Sequence, residues 1–285
     1  MHDLFKINQT KYLNPPNDYS SSDIYPEFQI KLDIFKDTLI SNIASRNFET
    51  YFKFGDGDYY FLNKIPTGSA KPGIRALKKP YSKLNHQPFV DGFKNNDKYT
   101  SLISKDNISK FNELIKRGPD YPSEIIYGLI ANKWIFKNLT KKIGLIGAKP
   151  KIEIIKYLME HDEYKNYLGL DSFNDYIYIE QNFACDNLGK TIKLLKSQLQ
   201  YSSSELFLVG IGHVKSGVLH ELKKIKPATY LDVGVGIDAL AGVVNIYRPY
   251  FGNWVNFKLQ NKKKLYKNVD ILINNFGSLG EIRNI

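Results

Sequence analysis

Cysteine is almost missing from this chain: Cys185 is the only one in 285 residues. A lone cysteine excludes an internal disulfide and a cysteine-based zinc cluster. As a nucleophile it would need a nearby base that the sequence does not supply, and its plainer reading is a small packed side chain. Long apolar runs are missing as well, and none approaches the roughly 20 residues that a membrane-spanning helix needs. The opening Met1-His2-Asp3-Leu4-Phe5-Lys6 has neither the basic nor the apolar region of a secretory signal, so a cytoplasmic location is expected. No repeat of fixed period is visible. His86, His161 and His220 lack metal-ligand spacing with acidic neighbours, and no Ser-His-Asp arrangement is legible.

What is present belongs to a globular protein. A hydrophobic fraction of 42% argues against disorder, and a chain of this length buries an ample core. The net charge of +11 favours acidic partners: nucleotide diphosphates, nucleic acid or an anionic membrane face touched peripherally. Its lysines are spread out, in clusters such as Lys78-Lys79, Lys223-Lys224 and Lys262-Lys263-Lys264. Such clusters are most often solvated faces. A nucleic-acid-binding module would rest on charge and tyrosine content alone, with no motif behind it. Nothing in the chain indicates its oligomeric state.

Residues 1–25 are polar, with Pro15-Pro16 and Ser20-Ser21-Ser22, and read as an irregular arm. Phe28, Leu32, Phe35, Leu39 and Ile43 then recur at helical spacing. A strand over residues 50–54 should follow. Residues 65–107 show little periodicity and carry Lys71, Arg75, Lys78, Lys79 and Lys83, a length that suggests a lid loop inside a compact domain. From residue 123 helices and strands alternate: helix 123–138, strand 142–147, a helix opened by Pro150, and strand 176–180. A helix capped by Asp186 or Asn187 comes next, then strand 205–209, helix 214–225 and strand 229–232. This alternation predicts an α/β fold, a mostly parallel sheet with helices on both faces. Residues 26–246 would form that domain, and 247–285 a C-terminal extension packed on it.

In such sheets ligands bind beyond the carboxyl ends of the strands. Five predicted ends stand out: Asp56 and Asp58; Gly147-Ala148-Lys149; Glu180-Gln181-Asn182; Gly210-Ile211-Gly212-His213; and Asp232-Val233-Gly234. Asp56 and Asp58 alternate with Gly55 and Gly57 just where an apolar run stops. Hard cations such as Mg²⁺ or Mn²⁺ take carboxylate oxygen, commonly one or two side chains plus the substrate's own phosphates. A plain Asp-Gly surface turn is the competing reading of the same residues. Gly210 and Gly212 precede a helix whose free N–H groups could meet phosphate. Equally, glycines at such turns serve close packing, and His213 is a phosphate donor, a base or an ordinary turn residue.

Lys53-Phe54-Gly55-Asp56-Gly57-Asp58 resembles the signature of the GT-D glycosyltransferases, which reads roughly Arg-Phe-Gly-Asp-Gly-Glu. Lys53 stands where that family has Arg, and Asp58 where it has Glu; Lys cannot reproduce the bidentate fork of Arg. A second resemblance runs from Leu206-Phe207-Leu208-Val209-Gly210-Ile211-Gly212 to Tyr230-Leu231-Asp232-Val233-Gly234. The resemblance implies a Rossmann-like fold and transfer of a sugar from a nucleotide-sugar donor to a glycan, glycoprotein or glycolipid acceptor. It also implies Mn²⁺ or Mg²⁺ at Asp56 and Asp58, with Lys53, Gly55, Gly57, Gly210, Gly212, His213 and Gly234 around the donor. Glu180 and Asp232 are positional candidates for an acceptor base. The Asp232-Val233-Gly234 run is also similar to the first motif of S-adenosylmethionine methyltransferases. In those proteins that strand opens the sheet rather than closing it, so a methyltransferase would need a circularly permuted Rossmann fold.

Overall fold

A computed structural model describes residues 21–65, 83–102, 105–139, 142–180, 184–243, 252–267 and 269. Among these, seven strands form one all-parallel sheet: β1 (Thr50–Phe54), β2 (Lys98–Ser101), β3 (Tyr121–Pro122), β4 (Ile143–Ala148), β5 (Asp175–Ile179), β6 (Leu206–Gly210) and β7 (Thr229–Asp232). Their order across the sheet is β3-β2-β1-β7-β6-β4-β5. The expected α/β, Rossmann-like architecture is therefore present. Register places Phe54 beside Ser101, Tyr51 beside Leu231, Val209 beside Asp232, and Gly147 beside Gly210. The sequence-distant ends of β1, β7, β6 and β4 are thereby neighbours on one edge.

Strand alternation divides the core in two. Tyr51, Leu145, Leu206, Leu208 and Leu231 point to one face, where they meet α1 (Ser21–Ala44), α5 (Ser123–Ala131), α6 (Trp134–Asn138), α7 (Lys149–Leu158) and α8 (Asp162–Leu168). The short helix α11 (Gly236–Leu240) and α12 (Gly252–Gln260) join that layer. Phe52, Phe54, Ile146, Phe207, Val209 and Tyr230 point to the other face. There they meet α2 (Asp56–Leu62), α3 (Gln87–Lys94), α4 (Lys105–Ile115), α9 (Leu188–Leu199) and α10 (Lys215–Ile225). Strands buried on both faces carry continuous apolar runs rather than alternating ones, which is why β4 and β6 are legible in sequence.

Several elements differ from expectation. Helix α1 starts at Ser21, inside the stretch read as an irregular arm; residues 1–20 lie outside the described residues. The interval 65–107 is not one long loop, because it holds α3 and β2. Phe89 and Phe93, one helical turn apart, are buried and anchor α3, but Asp91 and the polar run that follows dilute the signal. Lys83 is exposed, whereas Lys71, Arg75, Lys78 and Lys79 lie outside the described residues. The helix expected over 123–138 is broken at Lys133, which sits at φ 61° between α5 and α6. Elsewhere Pro150 does fall in the first turn of α7, and Asn187 caps α9 by accepting from Lys190 N.

Trp254, Val255, Leu265, Tyr266 and Val269 are buried against the first face, with Trp254 Nε1 donating to Ala131 O at 3.3 Å. These residues beyond 247 pack on the core. Cys185 is buried, and burial pushes its thiol up to about 12, the behaviour of a packing residue. Among the described residues no helix is long and apolar enough to cross a membrane.

Candidate functional site

Connections leave β4 and β6 in opposite directions: α7 and α8 lead outward to edge strand β5, and α10 leads inward to β7. Beside this divergence, at the carboxyl edge, lies a cleft of about 400 Å³. Its lining includes Lys53, Gly55, Gly57 and Asp58 from the end of β1, and Gly210, Gly212, His213 and Lys215 from the end of β6. Asp232 ends β7, Gly234 and Asp238 follow it, and Lys151 comes from α7. A crevice where strand connections part is the expected ligand position in an open α/β sheet.

The floor is a buried charge cluster. Lys215 Nζ lies 2.7 Å from Asp232 Oδ2 and 3.1 Å from Asp58 Oδ2, and it also donates to Lys53 O. Its Nζ also lies over the Phe52 ring, 4.3 Å from the centroid. Asp232, at 1% side-chain exposure, accepts further bonds from Lys53 N (3.1 Å) and Gly234 N (3.0 Å). Asp58 Oδ2 accepts from Gly55 N at 2.9 Å, so Asp58 also caps its own helix. The other Asp58 oxygen, Oδ1, faces His213 Nδ1 at 3.8 Å. Burial pushes the Asp58 carboxyl up, but Lys215, His213 and Lys53 outweigh it and hold the group well below the ordinary carboxylate range. For Lys53 burial acts downward, yet Tyr127, Asp232 and Asp58 keep its ammonium above the usual lysine value.

The walls are held by stacking and by close backbone approach. The His213 ring lies on Phe61, with centroids 4.8 Å apart and planes at 9°. Gly212 and Gly234 have φ of +61° and +48°, a region that side-chain-bearing residues rarely adopt. A Cβ on Gly212 would meet nothing within 4 Å, whereas one on Gly234 would come within 2.6 Å of Lys53 Cε. Gly210 serves packing, since a Cβ there would meet Ile237 and Gly234 O.

The structure brings most of the expected residues together but not all of them. Lys53, Gly55, Gly57, Asp58, Gly210, Gly212, His213, Asp232 and Gly234 line one cleft. Asp56 opens α2, and its side chain lies outside the described residues. Asp232 is present as a buried counter-ion with both oxygens engaged, which does not suit it to be a base facing an acceptor. Glu180 does not join the cleft: it is exposed beyond β5, 3.9 Å from Lys149. Lys151, Lys215 and Asp238 were not anticipated. Lys151 and Asp238 pair across the mouth. A signal for Lys215 was available, because a lysine in the first turn of a helix opposes the helix dipole and needs a counter-charge nearby.

Among the described residues no three His, Cys, Asp or Glu side chains converge as a ready-made metal site. Of the described carboxylates in the cleft, Asp232 has both oxygens engaged and Asp238 is paired with Lys151, while Asp58 offers a hard cation its Oδ1, the oxygen not held by Lys215. One or two carboxylates completed by substrate phosphates form a common Mg²⁺ arrangement, and that donor set fits a metal arriving with its ligand. No protein-family model, curated protein or solved structure matches this chain.

Proposed function

We propose that this chain is a metal-dependent glycosyltransferase that binds the diphosphate of a nucleotide sugar in the cleft beyond β1, β6 and β7. One observation carries the reading. The two blocks that resemble the GT-D family, distant in sequence, meet across this cleft, with Asp58 Oδ1 3.8 Å from His213 Nδ1. A fortuitous Asp-Gly surface turn would have no reason to face the glycine turn of another strand, over a floor of buried charge.

Charge balance supports a metal. Lys53, Lys151 and Lys215 are matched by Asp58, Asp232 and Asp238 in the same lining, so a diphosphate entering alone would bring uncompensated negative charge. Asp56 and Asp58 would hold Mn²⁺ or Mg²⁺, which when bound supplies Lewis-acid stabilisation to the departing nucleoside diphosphate. Lys53 adds a cation at the wall, and the space beside Gly55 and Gly212 admits phosphate oxygens. An inverting transfer needs a base at the acceptor hydroxyl. Of Glu180, Asp232 and His213, only His213 both lines the cleft and keeps an accessible side chain, at 23% exposure. Its ring stacks on Phe61 with Nδ1 toward Asp58, so Nε2 is the nitrogen that would take the proton.

Thermal-shift and calorimetric titrations with a panel of nucleoside diphosphates, with and without Mn²⁺, test the proposal. At least one should stabilise the protein only with metal, by about 2.7 kcal/mol at a hundredfold excess over its Kd. Asp56→Asn should keep the fold and lose that response. Stabilisation by S-adenosylmethionine and by no nucleoside diphosphate would refute the proposal in favour of a methyltransferase.

A further inference from the structure

We propose that Lys215 is the resident cation of this cleft: its ammonium takes the place between Asp58 and Asp232 that a divalent ion would otherwise bridge. It thereby leaves Asp58 only its Oδ1 to offer a metal. Lys215 touches no reacting atom and is a positioning residue. Lys215 Nζ contacts one oxygen of each carboxylate, at 3.1 Å and 2.7 Å. All three side chains are at most 8% exposed, so solvent cations do not screen them. The same Asp58 oxygen is held by Gly55 N, which leaves Oδ1 as its only outward atom. Asp232 has no such atom, because Gly234 N occupies its other oxygen.

Without Lys215 the two buried carboxylates would keep only Lys53 as a nearby permanent cation, leaving one negative charge without a partner, an unfavourable state. The same pair is a ready divalent site: hard cations prefer carboxylate oxygen, and Mg²⁺ binds it at about 2.1 Å. That is shorter than either ammonium contact, so the carboxylates would have to close on the ion. Lys215→Met keeps an unbranched side chain of similar length while removing the charge.

Mn²⁺ binding to the nucleotide-free protein, read by electron paramagnetic resonance, is the test, with Tm as the second readout. Lys215→Met should lower the Tm by on the order of 10 °C, and Mn²⁺ should restore most of that loss. Its Mn²⁺ affinity should exceed that of the unsubstituted protein at least tenfold. Lys215→Met with Asp232→Asn should lose the gain. A purely structural lysine would give lower stability with no metal-specific rescue. A folded Lys215→Met protein that binds Mn²⁺ no tighter overturns the proposal, as does a variant that folds neither with nor without Mn²⁺. The proposal rests on the nucleotide-sugar reading only for the choice of Mn²⁺ as probe. Uptake of Mn²⁺ as expected, by a protein that binds no nucleoside diphosphate, refutes that reading and leaves the role of Lys215 standing.

Discussion

Asp232→Asn measures how much the buried charge cluster contributes. Asp232 accepts from Lys215 Nζ, Lys53 N and Gly234 N, and is almost fully buried. Asparagine keeps the shape and one acceptor. Its carbonyl can still receive Gly234 N, but the amide then points N–H groups at the Lys215 ammonium and Lys53 N–H. Removing one partner of a buried ion pair costs about 3–5 kcal/mol. Here Asp58 remains 3.1 Å from Lys215, so the ammonium keeps a counter-ion and the loss belongs at the low end, about 3 kcal/mol. In urea, a slope of about 3 kcal/mol/M places the midpoint near 1 M below that of the unsubstituted protein. Glu205→Gln is the control: its pair with Lys142, at 3.0 Å, is partly solvated, and such pairs contribute about 1 kcal/mol or less. Equilibrium unfolding followed by circular dichroism decides the matter. A loss below about 1 kcal/mol for Asp232→Asn, at unchanged slope, would refute the claim that this cluster organises the floor.

Two further substitutions separate other causes. Gly212→Ala and Gly234→Ala both force a side chain into left-handed backbone at about 1–2 kcal/mol. Only Gly234→Ala drives a Cβ toward Lys53, so it should be the more destabilising and should alone weaken nucleoside diphosphate binding; equal effects in both assays would contradict the contact. Burial lowers the His220 pKa, with Glu221 opposing and Lys224 assisting. A folded value below the unfolded one means that stability is full above about 6.5 and falls as pH drops below it, because the unfolded state binds more protons there. His220→Gln should flatten the decline between pH 7 and 5 by up to about 1.4 kcal/mol per pH unit; an unchanged slope excludes His220 as the group responsible.

Local pattern determined much of this protein. The apolar runs of β4 and β6, Pro150 at the start of α7, Asn187 at the cap of α9 and the exact span of β1 follow from short-range sterics, capping and two-sided burial. They were legible because neighbouring residues decide them. The interval 65–107 was misread because α3 is specified by only two buried aromatics, and β2 by a four-residue strand whose partners lie elsewhere in the chain. Of the glycine-flanked Asp pair, Asp58 lines the cleft, while the arrangement of charges around it waited on the sheet order. Only when β7 inserts between β1 and β6 do Asp58, Asp232 and Lys215 meet. The same order leaves Glu180 stranded at the far edge and turns Asp232 from a candidate base into a buried counter-ion. Sequence spacing fixes which residues stand at strand ends; which ends become neighbours, and so which charges pair, is set by long-range packing of the sheet.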